Sequence, residues 1–146
     1  MLHDLARLYS AERLLRECEQ RGLAIDEFER RHPIVLHARL GAELARERFG
    51  VTDETVLQAI RRHTLAAPDM SRLDAILYLA DGLEPGRAFG GRAGYEALAF
   101  QDLDAALAAV LRSGIAHLRR SGLEAAPQTL AALATYESLE RSSLSA

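Results

Sequence analysis

MSRLDAILYLADGLEPGR, residues 70–87, is the stretch on which the reading of the fold turns. Ser71 followed three residues later by Asp74 has the pattern of a capping box, which places a helix start there. Leu73, Ile76, Leu77 and Ala80 recur at helical spacing and predict the apolar face of that helix. Asp81 continues the face, four residues after Leu77, and Pro85 with Gly86 ends the helix a turn later. A carboxylate at the inner end of an apolar stripe must be compensated, because burying an unpaired charge costs roughly several kcal/mol. Alone, such an Asp reads as a helix-end residue that reaches solvent or caps a turn. Histidines on the inward faces of three other segments change that reading.

Outward from this stretch the pattern is helical in both directions, with no sustained period-2 alternation. Residues 2–8 read as a short helix or the tail of one. Ser10 caps a helix over residues 11–21 that Gly22 closes. Asp26 caps a brief turn through Arg31, and Pro33 suits the first position of a helix over residues 33–49 that ends at Gly50. His37, Leu40, Gly41 and Leu44 share one face of it, and Gly41 lets another backbone come close. Thr52 is read as the cap of the next helix, with Asp53 and Glu54 in its first turn, where the helix dipole favours negative charge. Val56, Ile60 and His63 fall at i, i+4 and i+7, which puts His63 in the buried stripe. Residues 88–95, AFGGRAGY, read as a flexible loop. Gln101 or Asp102 starts a long helix with Leu103, Leu107, Val110, Leu111 and Leu118 inward, stopped by Gly122. Pro127 opens a last helix carrying Leu130, Leu133 and Leu139, and residues 142–146 form a polar tail expected to fray.

The expected architecture is therefore all-α, in one domain over residues 1–146, long enough for a single sizeable core. All 18 basic residues are Arg, which marks a compositional bias of the genome more than a function. A net charge of −3 with interspersed signs argues against coating nucleic acid or lying on a membrane. Cys18 is the only cysteine, so there is neither an intrachain disulfide nor a paired-cysteine zinc site. No apolar run approaches the ~18 residues of a membrane span, and no signal-peptide pattern opens the chain. A cytoplasmic location is expected.

Three of the five histidines form a set with two aspartates: His3-Asp4, His37, His63 and Asp81. Neutral imidazole nitrogens and hard carboxylate oxygens together suit Fe, Mn, Zn or Ni rather than Mg or Ca. Each member has a plainer reading, since a lone inward histidine usually satisfies itself on a carbonyl. Five coincidences on one helical scaffold are outweighed by a single shared metal site. His32, in an Arg-rich turn, and His117, on a polar rim, read as surface residues.

The Leu2-His3-Asp4 sequence resembles the His-Asp doublet of the HD-domain superfamily of metal-dependent phosphohydrolases. Residues 32–51 (HPIVLHARLGAELARERFGV), 59–64 (AIRRHT), 70–87 and 101–123 resemble one branch of it, the YqeK-type symmetrical bis(nucleosyl)-tetraphosphatases. LADGLEPGR is similar to that branch's LAD-x-x-EP-x-R, a more specific match than the doublet. The resemblance implies an all-α HD-domain helical bundle that splits diadenosine tetraphosphate into two ADP, with no nucleic-acid or membrane partner. It implies His3, Asp4 and Asp81 as metal ligands, His37 and His63 as further ligands or phosphate contacts, and Thr64 and Arg87 as phosphate contacts. It also implies Asp4 as the catalytic group that orients the attacking hydroxide. The implied cofactor is a divalent transition metal, iron first, with Mn, Co, Ni or Zn as alternatives.

Two departures from that branch shape the expectation. The branch carries an earlier histidine on a helix ahead of the doublet, for which nothing precedes Met1 here. Either Met1 is an internal start or the site is short of one ligand; poor activity or sub-stoichiometric metal is expected, as is a homodimer that covers Leu2, Leu5 and Leu8. After His63-Thr64 the chain has Leu65-Ala66-Ala67 where the branch has a Gly and a basic residue. The competing readings are an HD phosphohydrolase on another nucleotide and a catalytically impaired nucleotide-binding module.

Overall fold

The computed structural model describes residues 2–85 and 91–144. Among them every regular element is helical, as the patterning predicts: α1 (Ala11–Gln20), α2 (Glu27–Arg31), α3 (Leu36–Phe49), α4 (Glu54–Arg62), α5 (Arg72–Gly82), α6 (Arg92–Gln101), α7 (Leu103–Arg120) and α8 (Pro127–Leu144). Two 3-10 turns, Leu2–Asp4 and Pro33–Val35, complete the set. The chain divides into two compact units, Met1–Thr64 and Leu65–Ala146.

Local chemistry sets most helix ends. The Ser10 hydroxyl accepts from the Arg13 amide, and Asp26 with Glu29 forms a reciprocal capping box at α2. Pro33 starts a 3-10 turn that leads into α3, which ends at Gly50 in the left-handed region (φ 66°). The cap of α4 is Asp53 rather than Thr52, because the Asp53 carboxylate accepts from the Thr55 amide at 2.9 Å.

In the first unit α3 is the central element and is buried on two sides. Leu36, Leu40 and Leu44 pack with Ala6, Leu14 and Cys18, while Ala42 and Ala45 pack with Leu57 and Ile60 of α4. Each fully buried leucine is worth roughly 2 kcal/mol. Leu5 touches both clusters and so holds the N-terminal turn against α3. Leu2 and Leu8, expected with Leu5 to form one apolar flank, are 39% and 97% exposed. One buried carboxylate is fully used: Glu29 accepts from Arg39 at 2.7 and 2.9 Å and from the Asp26 amide at 3.0 Å.

In the second unit α7 is the spine, against which α5 and α8 bury Leu79 and Ala132 and α6 packs the partly buried Leu98. Ser71 and Asp74 form the predicted capping box of α5. The predicted face of α5 does not hold: Leu73 and Ile76 are 39% and 46% exposed, and Ala80 is exposed too. The inward stripe is Ala75, Leu79 and Leu83, with Asp74 buried at its start through the capping box. A second difference concerns residues 91–95, which were read as part of a loop. Arg92–Gln101 is a helix because Tyr95, Leu98 and Ala99, at i, i+3 and i+4, pack on the α7 core; residues 88–90 lie outside the described residues. On α8 the inward residues are Thr129, Ala132 and Tyr136, with Leu133 partly buried, whereas Leu130 and Leu139 are exposed. Helix α8 runs to Leu144, through the first residues of the stretch expected to fray. No described helix is long and apolar enough to cross a membrane.

Candidate metal centre

Three elements of the first unit meet at one cluster. The 3-10 turn Leu2–Asp4 supplies His3, which is buried, and Asp4, whose side chain is 38% exposed. The first turn of α3 supplies His37, and the C-terminal end of α4 supplies His63 and then Thr64. His37 and His63 are both buried, as their inward spacing predicts.

The geometry of the two imidazoles is set at the back. His37 Nδ1–H donates to the Ile34 carbonyl at 2.6 Å, and His63 Nδ1–H donates to the Ile60 carbonyl at 2.7 Å. A carbonyl oxygen only accepts, so each ring carries its proton on Nδ1 and, when neutral, turns an Nε2 lone pair to the front. The two Nε2 atoms stand 3.2 Å apart. Asp4 Oδ1 lies 3.6 Å from His37 Nε2 and 3.8 Å from His63 Nε2, and Asp4 Oδ2 is 3.4 Å from His3 Nε2. The Thr64 hydroxyl is 3.3 Å from both His37 Nε2 and His63 Nε2, and it can donate to only one of them.

Donors each about 2.1 Å from one ion stand roughly 3.0–3.4 Å apart. The 3.2 Å His37–His63 and 3.4 Å His3–Asp4 spacings match this, and the 3.6 and 3.8 Å distances from Asp4 to His37 and His63 are a few tenths of an ångström wider. His3, Asp4 and His63 each offer a ligand atom, and the three atoms lie within 4.8 Å of one another. His37 joins this set through Asp4 and His63. A second nitrogen anchored on a backbone carbonyl is the usual way a protein orients a metal-binding imidazole. The carboxylate is the open edge of the cluster and the imidazoles its buried floor.

Of the residues singled out in the sequence, His3, Asp4, His37, His63 and Thr64 come together in this unit. Asp81 lies in the second unit, on the last turn of α5, half-buried. Arg87 lies outside the described residues. His32 stacks against Phe28 with ring centroids 4.6 Å apart, and His117 is exposed, away from any such cluster in each case as expected. The sequence reading missed the carbonyls of Ile34 and Ile60. The repeated three-residue offset, Ile34 to His37 and Ile60 to His63, was the only available signal, and many helical residues share it.

The comparisons with known proteins bear on the family. The HD domain model matches residues 1–86. A relative from Halalkalibacterium halodurans, described as "Bis(5'-nucleosyl)-tetraphosphatase, symmetrical", is 43% identical over 105 residues, covering 72% of this chain and 54% of its own length. A relative of the same description from Bacillus subtilis is 38% identical over 98 residues, covering 67% of this chain and 53% of its own length. The chain thus spans about half the length of the curated relatives it matches. A solved structure from Clostridium acetobutylicum, described as a "predicted HD superfamily hydrolase involved in NAD metabolism", superposes with a TM-score of 0.89 at 33% identity, covering 94% of this chain and 72% of that one. A matched family model over more than half the chain, with a close structural relative, assigns the protein to its family: it belongs to the HD domain family.

Proposed function

We propose that this chain is a metal-dependent hydrolase that cuts diadenosine tetraphosphate symmetrically into two ADP. The observation that carries the reading is the pair of buried imidazoles, fixed from behind and facing each other beside the His3-Asp4 doublet. The names of the two matched relatives support the substrate class.

In this reading His3, Asp4, His37 and His63 hold a divalent ion, and Asp81 enters through the LADGLEPGR sequence pattern alone. Such an ion polarises a phosphoryl oxygen and lowers the pKa of a water. The buried imidazoles hold fixed positions because their Nδ1–H groups are tied to Ile34 and Ile60. Asp4, at the solvent edge, orients the attacking water and receives its proton. Water adds to a phosphorus at the middle of the chain, the bridging P–O bond breaks, and each half leaves as ADP. Thr64 and, from the sequence pattern, Arg87 contact phosphate; an arginine fork matches phosphate oxygens in pairs.

The mixed nitrogen and oxygen donor set supports iron as the ion, with Mn, Co, Ni and Zn as competitors for the same donors. The exposed Leu2 and Leu8 side chains support a homodimer, which light scattering would test. The mixed-sign charge of the sequence weighs against a nucleic-acid or membrane partner.

The deciding experiment incubates the purified chain with diadenosine tetraphosphate and Fe2+ or Mn2+ and separates the products by anion exchange. Two ADP per substrate is the expected outcome. AMP with ATP would refute the symmetrical cut. Turnover of a different nucleotide alone would point to another HD phosphohydrolase activity, and binding without turnover to a nucleotide-binding module. Metal analysis of Asp81→Ala tests that residue separately: full occupancy in the variant removes Asp81 from the ligand set.

A further inference from the structure

Gly41 occupies a place where a side chain would touch the metal cluster's support rather than its ligands. It is buried on α3, one turn beyond His37. A Cβ built there would meet the His3 backbone oxygen at 3.1 Å and Ile60 Cγ2 at 3.7 Å. The second distance is ordinary contact. The first requires the His3 carbonyl to give way by a few tenths of an ångström.

That displacement has few places to go. Just beyond the doublet, Ala6 is fully buried among Leu14, Cys18, Leu36, Leu40 and Leu44, and Leu5 packs on both clusters of the unit. The Arg7 amide donates to the Asp4 carbonyl at 2.9 Å and ties the doublet to this anchored segment. Movement therefore falls on His3 and Asp4, which share one short turn, while His37 and His63 stay fixed by their own carbonyls. Ligand distances in metal sites fall within about 0.2 Å of their standard values, so a shift of this turn bears directly on its two donors.

We infer that Gly41 is a positioning residue of the metal centre: its lack of a side chain seats the His3-Asp4 turn on α3 in register with His37 and His63. The inference rests on the reading of this cluster as a metal site. It is tested with Co2+ as the probe, by titration and visible absorption of wild type, Gly41→Ala and Ala42→Gly. Ala42 is fully buried on the same helix but is not the residue that faces the His3 carbonyl, so Ala42→Gly weakens the helix without crowding the turn.

The expected result is Co2+ affinity about 10–100-fold weaker in Gly41→Ala, with an altered absorption spectrum and retained helical content. Ala42→Gly should melt earlier and bind Co2+ as wild type does. An unchanged affinity and spectrum in Gly41→Ala would overturn the inference while leaving the metal site standing. The same loss in Ala42→Gly would overturn it too, because general destabilisation would then explain both. Failure of Gly41→Ala to fold would show that the glycine serves the fold and not the register of the donors. A wild-type protein that binds no Co2+ at all would remove the metal-site reading and this inference with it.

Discussion

His37 Nε2 stands 3.2 Å from His63 Nε2, and the opposite nitrogen of each ring is tied to the carbonyl three residues earlier. A hydrogen bond between the two facing nitrogens needs an extra proton, because both neutral rings carry theirs at the back. Helices α3 and α4 thus hold two lone pairs closer than neutral rings prefer. On the proposed metal-site reading, a cation between them would resolve the conflict.

Binding of that cation should stabilise the fold by mass action. At a free concentration of 100 times Kd the gain is about 2.7 kcal/mol, or roughly 5–10 °C in melting temperature for a chain of this size. His63→Ala should abolish most of the metal-dependent shift, since it removes a donor next to Asp4 and His37. Differential scanning calorimetry with metal and with chelator is the check. A His63→Ala protein that keeps the full shift would place the ion elsewhere.

The Glu29–Arg39 pair fixes the start of α2 to α3 without taking part in the cluster. Glu29 is 7% exposed and Arg39 32%, so their contact is screened less than a surface pair. Removing Arg39 leaves a buried carboxylate that still accepts from the Asp26 amide. Arg39→Ala should cost about 2–3 kcal/mol, less than a fully buried pair because the guanidinium is a third exposed. Urea denaturation measures it. A loss below about 0.5 kcal/mol would mean that water replaces the arginine at no cost.

Features written in short-range chemistry were legible in the sequence. Ser10, Asp26 and Ser71 cap helices as read, and Gly22, Gly50 and Gly122 take positive φ at the predicted stops. Features decided by a packing partner were not. On α5 the residues Leu73, Ile76, Leu77 and Ala80 and the residues Ala75, Leu79 and Leu83 both satisfy a helical period. Which stripe is buried depends on α7, and the less apolar one lies inward. Helix α6 escaped notice because Gly91, Gly94 and Arg92 resemble loop composition, while its stability comes from Tyr95, Leu98 and Ala99 against α7. The metal cluster was half legible. Inward histidines can be read from spacing, but the 3.2 Å meeting of His37 and His63 depends on how α3 packs on α4.

Cys18 offers a pH test independent of the metal. Burial pushes its thiol up to about 11, against about 9 for an open thiol. Its folded form therefore keeps a proton that the unfolded chain releases between these values. Stability from this group is intact below pH 9 and falls as pH rises towards 11, by at most about 2–3 kcal/mol. Tyr136 is also raised by burial and shifts stability in the same direction, so the comparison must be with Cys18→Ala. The difference in unfolding free energy between the two proteins should shrink over pH 9–11. A difference independent of pH would show that the thiol is accessible to solvent in the folded chain.

On the proposed reading Asp4 both holds the ion and uses it. Its carboxylate reaches His3, His37 and His63 within 3.8 Å, yet the side chain is 38% exposed, so one edge faces incoming water. Asparagine keeps the shape and one oxygen but loses the charge and the capacity to receive a proton. General-base groups of this kind contribute about 10²–10⁴-fold to rate. Asp4→Asn should therefore lose at least about 100-fold in turnover of diadenosine tetraphosphate. Part of that loss comes from weaker metal binding, which a titration to saturation removes from the comparison. At saturating metal the remaining deficit belongs to proton acceptance, and a Glu at the same position, which keeps the charge on a longer arm, should recover only part of it. If Asp4→Asn matches wild-type turnover once saturated with metal, Asp4 is a ligand alone and the proton leaves by another route.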